Sequence, residues 1–222
     1  MTDSTAQAAQ RPSARPIVAR RSATTDLALV GTFAALVAVC SLIAVRIPIV
    51  AVPVTLQTFA VLLAGAVLGA RRGAFAVLLY LAVGLAGLPV FAEAKGGPAV
   101  LASFSAGYLL AFPLAALVVG LVAERAVRQG GVRRALLLAG GAVAATLTIY
   151  AVGVPVLAAR AGMALGDAVV INNAFVPLDA LKAALVVIVA LAVHRAFPDL
   201  LATARPARPV GPSAPTETPD AG

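Results

Sequence analysis

Apolar residues fill six long blocks of this chain, at 27–45, 54–70, 73–90, 103–123, 135–157 and 176–194, and most polar or charged residues lie at the joints between them. Each block comes near the ~20 residues that an α-helix needs to cross the hydrocarbon core of a bilayer. The pattern therefore predicts an all-α integral membrane protein with six transmembrane helices. The second and third blocks are short and parted only by Arg71 and Arg72, which predicts a tight helical hairpin there.

Composition agrees with the pattern. Of 222 residues, 61% are hydrophobic and only 12% charged, and the mean hydropathy of +1.00 lies far from the balance of a soluble domain. The net charge of +8 is not the mark of a nucleic-acid binder, because the basic residues form short clusters between apolar blocks and no basic stripe is interleaved with aromatics. It reads as topology instead. With a cytoplasmic N-terminus, thirteen of the 17 Lys and Arg residues fall inside, Arg46, Lys95 and Arg160 fall outside, and Lys182 is left in the membrane. That bias predicts a multi-pass protein of the cell membrane with both termini cytoplasmic.

Residues 1–25 are polar and basic and residues 198–222 are rich in Pro, so both segments are expected to be disordered flanks of a membrane domain at 26–197. The first apolar block follows Arg21 with no clear cleavage site and is long enough to remain as a span rather than leave as a signal peptide. Cys40 is the single cysteine, expected as a buried free thiol.

The polar residues left inside this apolar frame locate the chemistry. A charged side chain within a span costs from about 2.5 to more than 10 kcal/mol, so it faces a partner, a cavity or a ligand. Pro177 suits the first position of a helix, which puts Asp179 in the first turn of the last block and Lys182 three residues on, along the same face. These two either satisfy one another or present an acceptor and a donor to a bound molecule. The stretch 46–58 is apolar but broken by Pro48 and Pro53, so it is expected as a lid or wall over a pocket, with Thr55, Gln57 and Thr58 at the mouth. In the next outer loop Phe91, Phe104 and Tyr108 are either interfacial aromatics or stacking partners for a ligand. Asp167, Asn172 and Asn173 are expected in the third outer loop. Small residues at Gly31, Ala34, Ala35 and Ala38 recur four apart, the spacing that lets another helix approach in lipid. Pro113, Gly120, Gly153 and Pro155 are expected as kinks or close-packing points, and His194 as a cap at the membrane interface.

Enzyme chemistry is disfavoured. His194 is the single histidine, no cluster of His, Cys, Asp and Glu has metal-ligand spacing, and no G-x-x-x-x-G-K-[ST] phosphate loop is present, so the chain is read as neither an enzyme nor an ATPase.

At these residues the chain resembles the BioY family of biotin transporters, the substrate-binding S components of energy-coupling factor (ECF) transporters. The motifs that carry the likeness are Pro53-Val54-Thr55-Leu56-Gln57-Thr58, Leu62-Leu63-Ala64-Gly65, Gly69-Ala70-Arg71-Arg72-Gly73, Gly84-Leu85-Ala86-Gly87-Leu88-Pro89-Val90-Phe91, Gly107-Tyr108-Leu109-Leu110 and Pro177-x-Asp179-x-x-Lys182. The resemblance implies a six-helix fold that binds biotin from outside, needs no cofactor, and docks on a transmembrane coupling subunit carrying two cytoplasmic ATPase subunits. It maps the family's acidic and basic residues of the last helix onto Asp179 and Lys182; Phe91 and Tyr108 as aromatics around the bicycle, Gln57 and Thr55 at the mouth, and Gly107 of the shared motif complete the expected substrate-binding residues, and Gly31, Ala34, Ala35 and Ala38 are the stripe that docking would use. The chain departs from the family where Ser103-Phe104-Ser105-Ala106-Gly107-Tyr108 stands in place of Gly-Pro-Thr-Gly-Gly-Tyr, and where Leu178 replaces a glycine. An S component for another vitamin, or a structural membrane protein in which Asp179 and Lys182 are only a packing pair, are the rival readings.

Overall fold

The computed structural model describes residues 23–45 and 53–201. Expectations for 1–22, for 46–52 and for 202–222 lie outside those residues. Among the described residues the chain forms α1 (Ala23–Leu42), a short antiparallel ribbon of β1 (Ala44–Val45) with β2 (Val54–Thr55), then α2 (Gln57–Leu68), α3 (Ala70–Leu85), α4 (Ala106–Ala126), α5 (Gly131–Ala161), α6 (Leu165–Asn173) and α7 (Val176–Ala196).

The membrane-protein reading holds. Large apolar side chains such as Phe75, Leu147 and Ile188 point outward, each about 60% exposed, and helices, whose backbone groups bond within the segment except at the ends, are one of the two structures that can span lipid. Among the described residues four helices, α1, α4, α5 and α7, are long and apolar enough to cross a bilayer. The other two expected spans are shorter than their apolar blocks, 12 residues for α2 and 16 for α3. The reason is backbone conformation, to which hydropathy is blind. Block 54–70 opens with the extended residues of β2, and Gly69, at φ +85°, breaks the helix in a region that residues with a side chain seldom enter. Gly69 is thus the joint of the hairpin, and Arg71 and Arg72 belong to the first turn of α3.

Two further expectations are corrected. Leu165–Asn173, read as loop, is helical, with Ala168 and Asn172 buried four residues apart on one face. His194 does not cap the membrane interface. The buried residues of α7 are Asp179, Lys182, Val186, Ala190 and His194, a helical repeat that places the imidazole on the same inward face as the two charges.

Helix α4 is the central element, 61% buried over its apolar window against 22% for α1 and α7. It packs against α2, α3 and α5, and small residues permit the approach. A Cβ on Gly65 would lie 2.2 Å from the Ala116 carbonyl oxygen, and one on Gly120 would lie 2.4 Å from the Ala70 nitrogen. Pro113 and Pro155 lie within α4 and α5, which run on through them. Cys40 is buried and free. Where α2 turns into α3, Glu124 accepts the Ala70 N–H at 2.9 Å. At the same end Arg72 pairs with Asp26 of α1 at 3.1 Å and donates to the Leu200 carbonyl at 3.3 Å. These contacts close the end opposite the start of α7.

Candidate ligand-binding pocket

Pro177 sits in the first turn of α7, where its missing N–H costs no hydrogen bond. This sets the register that turns Asp179 and Lys182 inward, 6% and 7% exposed. Lys182 Nζ donates to Asp179 Oδ1 at 2.9 Å, and the Tyr150 hydroxyl of α5 donates to Asp179 Oδ2 at 2.7 Å. Both carboxylate oxygens are therefore engaged, which offsets the desolvation of a buried charge. One lysine proton is committed to this bond, and an ammonium has three.

The aromatic wall is built from the neighbouring helix starts. Tyr108, in the first turn of α4, donates its hydroxyl proton to Asn172 Oδ1 of α6 at 3.0 Å and packs its ring against Phe175 at 6.5 Å. Gly153 makes room for that ring, since a Cβ there would lie 2.4 Å from Tyr108 Cδ1. On the facing side Gln57 Nε2 donates to the Tyr80 hydroxyl at 2.8 Å, and Tyr80 meets Phe91 edge-on, ring centroids 5.4 Å apart. The Ser41 hydroxyl of α1 reaches the Val90 carbonyl and ties the loop before Phe91 to the bundle.

These groups surround one cavity of about 400 Å³, within the roughly 300–1,000 Å³ of small-molecule sites. Asp179, Lys182, Tyr108, Phe91, Gln57 and Thr55 all line it. Thr55 stands at the mouth, its Oγ1 accepting the Gln57 backbone N–H at 3.3 Å. Gly107, implied beside them by the resemblance, faces α5 instead, where a Cβ would lie 2.5 Å from Val156 Cβ. A second, mostly apolar groove of about 610 Å³ runs between α5, α6 and α7, and Tyr150 and Asp179 line both spaces. The small-residue stripe divides. Ala34 is buried in the bundle, whereas Gly31 has open space where a Cβ would be and Ala35 is exposed. Among the described residues no group of three or more His, Cys, Asp or Glu side chains gathers as metal ligands.

Sequence reasoning passed over Tyr150 and Tyr80, and read Asn172 only as loop. A signal was available, because the chain has just three tyrosines. Tyr80 and Tyr150 fall far from the ends of their apolar blocks, where a phenol needs a buried partner rather than the interface.

The BioY family model matches residues 9–199. A biotin transporter BioY of Rhizobium etli is 37% identical over 82% of this chain and 99% of its own length. A second, from Rhodobacter capsulatus, is 36% identical over 79% of this chain and 96% of its own. In structure the chain is similar to the S-component for biotin from an ECF-type ABC transporter, with a TM-score of 0.71 over 78% of this chain and 92% of that one, at 23% identity, a likeness of fold. With a family model that spans most of the chain and relatives matched along nearly their whole length, this protein belongs to the BioY family.

Proposed function

We propose that this chain is the membrane-embedded biotin-binding subunit of a biotin uptake system, a transporter component and not an enzyme. The observation that carries the reading is the buried Asp179–Lys182 pair, 2.9 Å apart, on the wall of a cavity of about 400 Å³. The ureido ring of biotin has two N–H donors and a carbonyl acceptor, which matches a carboxylate beside an ammonium with protons to spare. Phe91 and Tyr108 supply apolar faces for the bicycle, Gln57 and Thr55 polar groups nearer the mouth, and Gly107 acts through the packing of α4 on α5. Relatives that are biotin transporters support this choice of ligand.

The membrane domain at 26–197 crosses six times, through α1 to α5 and α7. Helix α2 covers only about 18 Å, so the extended residues before it complete that crossing. The distribution of Lys and Arg favours cytoplasmic termini, with 1–25 and 198–222 as flanks. Uptake is energised by a transmembrane coupling subunit and two cytoplasmic ATPase subunits, a division of labour that agrees with a sequence lacking a phosphate loop. The outward side of the α1 stripe, at Gly31 and Ala35, is the docking surface, and Ala34 and Ala38 hold α1 in the bundle.

Equilibrium binding of labelled biotin to the purified full chain tests the reading. Binding is expected to saturate at one site, resist competition by thiamine or riboflavin, and disappear in folded Asp179→Ala and Lys182→Ala. Variants that bind as well as the unaltered protein would remove both residues from the site. Competition by another vitamin would reassign the ligand.

A further inference from the structure

We propose that the groove between α5, α6 and α7 holds one acyl chain of a membrane phospholipid, whose ester carbonyl accepts a hydrogen bond from Asn172. This is a second site, apart from the ligand cavity and independent of which ligand the cavity takes.

The groove, of about 610 Å³, opens on a face that the membrane reading puts in lipid, where Val143, Leu147 and Val169 are exposed. Its polar side chains are few, and most are already engaged. The Tyr150 hydroxyl donates to Asp179 Oδ2 at 2.7 Å, and Lys182 donates to Oδ1 at 2.9 Å. The Thr146 hydroxyl donates to the Ala142 carbonyl, one turn back in α5, at 2.9 Å. Such a lining has little to offer a polar solute and much to offer a hydrocarbon chain.

Asn172 is the exception. It is 4% exposed and lines the groove. Its Oδ1 accepts the Tyr108 proton at 3.0 Å, whereas its Nδ2, which carries two protons, has no partner among the described residues. A buried amide donor without an acceptor is destabilising, so the occupant has to bring an acceptor to this point and hydrocarbon below it. The side of a helix from a second copy does not, because its carbonyls are bonded within the helix. A fatty ester does.

The positions match the depth of one leaflet. The Tyr108 ring sits in the space left by Gly153, which puts Asn172 near that level of α5, and the groove continues along α5 to Val143. From Gly153 to Val143 the helix advances about 15 Å, half of the ~30 Å hydrocarbon core. Ester groups lie at the edge of that core. Asn173, exposed beside Asn172 and also on the groove, faces the level of the headgroup.

Native mass spectrometry of the purified full chain reads the site. The protein is stripped of lipid by detergent exchange and titrated with dioleoylphosphatidylcholine or with its diether counterpart, which has the same headgroup and chains but no ester carbonyls. The unaltered protein is expected to retain one diester molecule and to bind the diether about two- to tenfold more weakly, the range of one neutral hydrogen bond. Ala151→Phe, which puts a ring into the groove from an exposed position, should weaken both lipids at least about fivefold, with folding checked by thermal unfolding. The diether comparison needs no variant, so the proposal stays open to refutation even if Ala151→Phe fails to fold. Equal affinity for the two lipids overturns the bond to Asn172, and undiminished binding by folded Ala151→Phe puts the lipid outside the groove; either result overturns the proposal. A dimer that retains no lipid and that Ala151→Phe separates would overturn it too, and give the groove to a second copy.

Discussion

Tyr150, in the middle of α5, places its hydroxyl 2.7 Å from Asp179 Oδ2 and so takes the carboxylate oxygen that Lys182 leaves open. The bond joins the longest helix of the fold to the first turn of α7. It also forms part of the partition between the cavity and the apolar groove that runs between α5, α6 and α7.

Tyr150→Phe keeps the ring and deletes that donor. A hydrogen bond to a charged group contributes about 1.5–3 kcal/mol, so biotin affinity is expected to fall at least about tenfold while the protein still folds. Isothermal titration in detergent reads the change. Undiminished affinity would show that Asp179 needs no help from α5 to keep its orientation.

Removing one member of the Asp179–Lys182 pair should cost more stability than removing both. A lone buried charge destabilises by about 3–5 kcal/mol, whereas an apolar replacement of the whole pair is often neutral. In thermal unfolding Asp179→Leu and Lys182→Leu should each fall below the double variant, and none of the three should bind biotin. A double variant that retains binding would leave the pair a packing device.

Gly153→Ala tests the fit of the pocket wall. The new methyl would lie 2.4 Å from Tyr108 Cδ1, and overpacking of this kind costs roughly 1–3 kcal/mol. The ring must shift, and the Tyr108–Asn172 bond shifts with it. Biotin affinity should drop, and Gly153→Ser should do no better.

Gly31 and Gly65 are both small residues in apolar helices, yet they should respond differently. Gly65→Ala drives a methyl against the Ala116 carbonyl oxygen at 2.2 Å and should lower the unfolding temperature, whereas Gly31→Leu enters open space and should leave it unchanged. If the outward side of α1 is the docking surface, Gly31→Leu should instead reduce co-purification with the coupling subunit. Intact assembly would place that surface elsewhere.

How far the site was legible depends on what each residue encodes locally. Asp179 and Lys182 were legible because charge in an apolar block is improbable without a purpose and Pro177 marks the helix start that puts them on one face. Gly107 was misplaced because its neighbour Tyr108 does line the cavity, and adjacent residues on a helix point about 100° apart. Tyr150 stayed hidden because nothing near it in the chain is polar enough to name its partner, which lies 29 residues away.

Alone, the sequence determined the medium, the approximate number of apolar segments and the two charges they must bury, because transfer into lipid is a sum over residues and is readable from composition. Family motifs added the ligand class. Only the tertiary structure decided that Gly69 breaks α2 from α3, that Leu165–Asn173 is helical, and that Tyr150 completes the coordination of Asp179. Each of those depends on backbone dihedrals or on contacts between distant segments, which hydropathy does not encode. The pair seen in sequence as Asp179 and Lys182 is, in the fold, a triad with Tyr150.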